Sequence, residues 1–180
     1  MRILTIAGDL YMKRKNYAKL LERTNSFAEI FEVVQEVVDI VLDDSRAGLD
    51  LGLMELGNNT GDWLGGYYPV GSNIIVMNKT PLRRIKDTNP EMMKPYVFMV
   101  LLHEYLHSLG YTDEEPCREL TYRICNTVFG EEHLSTKMSV DITKYISYLS
   151  YPDGQLQIDK DMEDIEIVPN FDRNADYYIG

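Results

Sequence analysis

An unbroken apolar run, Tyr96-Val97-Phe98-Met99-Val100-Leu101-Leu102, leads directly into His103-Glu104-Tyr105-Leu106-His107. A helix facing water carries only a stripe of apolar residues, so a continuous run predicts a helix buried on all sides. The string that follows places ionisable groups at the end of this buried element. Positions i and i+4 of an α-helix differ by about 40° of rotation and about 6 Å of rise. The two histidines therefore project the same way and can bind one metal ion, with Glu104 close enough to act on a water beside it. The chain has only three histidines and 14 glutamates in 180 residues. A scrambled chain of this composition meets the pattern roughly 0.004 times by chance, so the string is taken as functional.

The length suits one domain with a core of its own. The formal net charge is −11, which argues against nucleic acid as a partner, since phosphate binding needs clustered Lys and Arg. From Pro152 to Gly180 there are eight acids and two bases. The expected organisation is a single domain over 1–151 followed by an acidic, loosely packed tail over 152–180. Cys117 and Cys125 fall in one helical stretch, where eight residues span about 12 Å, too far for a disulfide. They read as buried thiols in a reducing compartment. No apolar run approaches the length of a membrane span. No secretion signal is evident in Ile3-Leu4-Thr5-Ile6-Ala7. A cytoplasmic protein with no membrane partner is expected.

Ser26-Phe27-Ala28-Glu29 is a capping box, and Ile30, Val33, Val34, Val37, Val38 and Val41 continue it as a helical stripe. Strands are expected over Leu49–Leu56 and Ile74–Asn78, with a bend at Gly65-Gly66 between them. A short strand is expected over Met1–Ala7, a helix or arm over Tyr11–Arg23, and a turn over Gly57–Asp62. Pro81–Lys86 reads as a basic linker or a helical turn. The motif helix starts at Pro90 or at Pro95 and stops at Gly110 in the left-handed conformation. A second helix runs from Glu114 to Val128 and ends at Gly130. Glu131–Ser139 reads as a loop with His133 and Met138, and Asp141 caps a third helix over Ile142–Leu149.

His103-Glu104-x-x-His107 with Gly110 and Asp113 resembles the zincin superfamily of metallopeptidases, in its metzincin-like form with an aspartate as third ligand, as in snapalysin-like variants. The resemblance implies an α+β fold. A small, twisted, mostly antiparallel sheet and an N-terminal helix precede the active-site helix, and helices follow it. It also implies Zn2+ held by His103, His107 and Asp113, with Glu104 as general base for hydrolysis of a peptide or protein substrate. Met138 is the counterpart of the methionine turn beneath the metal. Asp113 also stands where a helix N-cap would, and Thr112 with Glu115 reads as a capping box. In the gluzincin branch the third ligand is a glutamate on the following helix, which brings in Glu115 or Glu119. His133 is the other imidazole in reserve. An oxyanion donor is expected from Tyr145, Tyr148 or Tyr151, and an extended substrate could pair with Ile74–Asn78 if that strand has a free edge. A zinc-binding regulatory or structural protein without catalysis is the alternative. The helical spacing argues against a non-haem iron enzyme.

Overall fold

The computed structural model describes residues 16–57, 63–151 and 165–173. The expected strand over 1–7 and the centre of the turn over 57–62 lie outside the described residues, as do 11–15, 152–164 and 174–180. Residues 16–23 are helical (α1). Helix α2 (Phe27–Leu42) opens as the capping box predicts. The Ser26 hydroxyl accepts from the Glu29 N–H, and the Glu29 carboxylate accepts from the Asn25 N–H at 2.6 Å. Its stripe Ile30, Val33, Val34, Val37 and Val38 is buried.

Among the described residues, four short strands form one sheet in the order β2-β3-β1-β4: β1 (Asp50–Met54), β2 (Gly66–Tyr67), β3 (Ile74–Asn78) and β4 (Glu166–Val168). The sheet is mixed rather than mostly antiparallel. The longest pairing, five residues of β1 against β3, is parallel, and β2 and β4 add antiparallel edges. Strand β3 is interior, paired on both sides, so it has no free edge for a substrate. Among the described residues the edges of the sheet are β2 and β4. Part of the acidic stretch is structural: β4 pairs with β1, Phe171 stacks on Phe31 at 4.3 Å, and the Asp172 carboxylate accepts from the Gly48 and Leu49 N–H groups.

The stretch read as a basic linker or a helical turn is helical, and longer than one turn: α3 (Lys79–Thr88). The Asn78 side chain accepts from Thr80 N–H to start it, and Leu82 and Ile85 bury its inner face. Pro90 opens a short 3-10 turn (Pro90–Met92), and Pro95 stands in the first turn of α4 (Met93–Ser108), where its missing N–H costs nothing. Helix α4 runs through the middle of the molecule, packed against α2, α5 (Glu114–Phe129) and α6 (Leu134–Val140). Tyr96, Phe98, Leu101, Leu102, Tyr105 and Leu106 are inaccessible to solvent. The segment expected as a loop over 131–139 is therefore largely helix, and Met138 stands in α6 rather than in a turn. Asp141 caps a 3-10 turn (Ile142–Tyr145) that runs into α7 (Ile146–Leu149). Both cysteines are free and buried. Among the described residues, no helix is long and apolar enough to cross a membrane.

Candidate metal centre

The end of α4 builds the site. Gly110, at φ +102, closes the helix in the left-handed region. Its N–H donates to His107 O and the Tyr111 N–H donates to Leu106 O, the paired bonds of a Schellman turn. That reversal brings the Tyr111 carbonyl to 2.8 Å from His107 Nδ1. A carbonyl only accepts, so Nδ1 carries the proton and Nε2 of His107 is left with a lone pair. His103 is fixed in the same sense from α5. The Thr121 hydroxyl donates to Cys117 O at 2.8 Å, which leaves its oxygen to accept from His103 Nδ1–H at 3.3 Å. Both Nε2 lone pairs then face each other, 3.1 Å apart, with the two rings nearly perpendicular.

Glu114, the first residue of α5, closes the group. Its Oε1 lies 3.1 Å from His103 Nε2 and its Oε2 lies 3.2 Å from His107 Nε2. With both imidazoles neutral and tied through Nδ1–H, two nitrogen lone pairs and two carboxylate oxygens converge, Oε1 also accepting from Arg118 Nε–H. Such a set of acceptors suits a cation. Metal–ligand bonds of about 2.0–2.1 Å in a tetrahedral site put neighbouring ligand atoms about 3.3 Å apart, close to the spacings here. Burial pulls His103 down to about 4, helped by His107 and Arg118 and opposed by Glu114, so the ring is neutral and free to ligate. Burial alone would raise Glu114. The charges of His103, Arg118 and His107 outweigh it and hold the carboxyl below the usual range.

Cys117 Sγ also lies within 4.8 Å of ligand atoms of both histidines. It sits on the far side of His103, 3.7 Å from Nδ1, and donates to the His103 carbonyl at 3.5 Å. Burial pushes its thiol up to about 12. A protonated thiol behind the ring is a poorer partner for a cation than a carboxylate in front of it.

Asp113 is exposed at the N-cap of α5 and makes no capping hydrogen bond through its side chain, so the Thr112–Glu115 capping box does not form. Glu115 and Glu119 are exposed as well. His133 caps α6, accepting from Ser135 N–H through Nδ1, and stacks on Phe129 at 4.1 Å. None of these joins the cluster. Glu114 stands outside the expected third-ligand positions, yet one signal marks it. The buried stripe of α5 is Cys117, Thr121, Ile124, Cys125 and Val128, and one turn back from Cys117 it falls on Glu114 rather than on its neighbours.

A cleft of about 300 Å³ opens beside the cluster, lined by His103, Glu104, Glu114 and Arg118 among others. Glu104 is in its wall and only 6 % exposed. Burial, with Glu114 adding to it and a Tyr68 backbone hydrogen bond opposing, pushes its carboxyl up to about 8. On one side runs Trp63–Gly66, on the other Met138–Thr143. Gly66 permits the close approach of that first wall: a Cβ there would stand 2.6 Å from the Val76 carbonyl oxygen. Asn78, fully buried, holds the wall in place, since its Nδ2 donates to the Gly57 and Leu64 carbonyls and its Oδ1 accepts from Leu56 N–H. Arg46 ties the same wall to the end of α4, donating to Ser108 O, Ser72 O and Tyr68 Oη at 2.7–2.9 Å. Tyr145, Tyr148 and Tyr151 do not line the cleft, and Tyr151 donates instead to Asp87. Met138 does line it, from α6.

No family model, no curated protein and no solved structure matches this chain.

Proposed function

We propose that this chain is a zinc-dependent peptide hydrolase, with His103, His107 and Glu114 as the metal's protein ligands and Glu104 as general base. The observation that carries the reading is the convergence of two Nε2 lone pairs and one carboxylate within 3.1–3.2 Å of each other, beside a buried second carboxyl in a cleft. Two histidines and one carboxylate are the ligand set of an open, catalytic zinc site. Zinc bound there supplies Lewis acidity, which polarises the scissile carbonyl and makes water a better nucleophile near neutral pH. Burial keeps Glu104 largely protonated at neutral pH, so it must ionise first, which the charge of a bound cation would favour. It then takes the proton of the attacking water. The water oxygen bonds to the carbonyl carbon, the carbon–nitrogen bond breaks, and Glu104 passes its proton to the departing amine.

Substrate is held by the cleft walls. Strand β2 is one edge of the sheet and Gly66 lines the cleft, so an extended peptide can add to that edge through its main chain. Val100, Met138, Val140 and Ile142 offer apolar contact to its side chains. The ligand assignment is tested by zinc content and affinity of protein purified without a histidine tag. Glu114→Ala is expected to lose zinc, whereas Asp113→Ala, Glu115→Ala and Glu119→Ala keep it. Retention in Glu114→Ala with loss in Asp113→Ala would move the third ligand to Asp113.

A further inference from the structure

We infer that Arg118 is a second catalytic residue of the site, and that its guanidinium binds the oxygen that gains negative charge when the substrate carbonyl is attacked. The inference rests on the hydrolase reading and adds to it the group that steadies this charge. Hydrolysis of an amide builds an oxyanion, and a donor aimed at that oxygen is expected in any such site. Arg118 is the sole lysine or arginine among the described residues that line the cleft.

Its placement suits the task. Arg118 is one turn beyond Glu114 on α5, and its Nε–H donates to Glu114 Oε1 at 3.1 Å. The same Oε1 lies 3.1 Å from His103 Nε2, so one carboxylate oxygen separates the guanidinium from the imidazole. The side chain is 66 % exposed, and its Nη1 and Nη2 donate to no described residue. Arginine keeps its charge at any working pH and presents its donors in a rigid fork. Anchored through Nε, that fork leaves two terminal groups for a substrate oxygen beside the histidines. The step needs no co-reactant: the oxygen takes the carbonyl π electrons as water adds, and returns them as the carbon–nitrogen bond breaks.

The test is calorimetry on zinc-saturated Glu104→Gln protein, which binds without turnover. The ligands are a phosphinic peptide with blocked termini, which mimics the charged tetrahedral centre, and the blocked amide peptide of the same side chains. Adding Arg118→Met is expected to weaken the phosphinic peptide about 100-fold, the scale of a lost oxyanion donor, with the amide peptide shifted less than about threefold. Adding Arg118→Lys instead should restore part of the loss. Equal weakening of both peptides, or of neither, overturns the inference. So does a fall in zinc affinity with unchanged phosphinic binding at saturating zinc, because Arg118 would then only orient Glu114. Preference for the amide peptide before Arg118 is changed also overturns it. The hydrolase reading fails separately, if zinc-loaded wild type cleaves no member of a mixed peptide library.

Discussion

Helix α4 brings His103, Glu104 and His107 to the cluster from inside the core, whereas α5 brings Glu114 and Arg118 from its solvent-facing first turns. The two histidine side chains are 15 % and 14 % exposed, against 55 % for Glu114 and 66 % for Arg118. The buried half is held by packing and by a fixed hydrogen bond behind each ring. The exposed half is held by charge: the Arg118 guanidinium, one turn on, pairs with the Glu114 carboxylate. Orientation that comes from packing is insensitive to salt, and orientation that comes from exposed charge is not. A cation would lock the second half onto the first.

The comparison breaks most sharply at Glu104, which belongs to the buried half yet is assigned no ligand role. Glu104→Gln should keep zinc at wild-type stoichiometry and lower kcat by about 100- to 10,000-fold, measured by peptide cleavage alongside metal analysis. Undiminished cleavage would remove Glu104 from the chemistry. A smaller effect is expected at Thr121, the one hydroxyl that crosses from α5 to fix His103. Thr121→Val removes the acceptor behind Nδ1 and should weaken zinc about 10- to 100-fold in competition with a chromogenic chelator. Unchanged affinity would mean that packing alone orients the ring.

The smallest effect concerns the histidine outside the site. Burial lowers the His133 pKa, with Glu22 opposing. A depressed folded pKa contributes stability above the ordinary histidine value, and this is lost as pH falls through the lowered one. Protonation also removes the lone pair that accepts from Ser135 N–H. His133→Gln should therefore lower Tm modestly at neutral pH, by the loss of a cap worth about 1 kcal/mol. It should also lose less Tm than wild type on acidification from about pH 7 to pH 5, with zinc binding unaltered. A Tm that falls in parallel for both proteins would show that His133 binds protons equally in the folded and unfolded states, with no lowered pKa.

Helix α4 was legible because seven apolar residues in a row admit few other fates, and Gly110 because only a left-handed stop lets the chain turn back there. The capping box at Ser26 and the branched run Ile74–Met77 were equally direct. Glu114 was not, because the resemblance points to Asp113, one residue before it, and its alternative branch to Glu115 or Glu119, after it. Helix α6 carries three serine or threonine residues among seven, so its form comes from packing on α4 and α5 rather than from propensity. In α3, Arg83, Arg84 and Lys86 disguise the buried pair Leu82 and Ile85. Strand β4, three residues in an acidic stretch, exists because β1 offers an open edge, which no short window of sequence displays.

Phe171 stacks on Phe31, and Phe31 meets Tyr105, the residue after Glu104 on α4, edge-on at 5.3 Å. The cushion behind His103, Glu104 and His107 is thus delivered by a residue made more than sixty positions after them. During synthesis the ribosome must translate past residue 171 and release it from the exit tunnel before this packing can form. The packing behind α4 is therefore completed only late in synthesis.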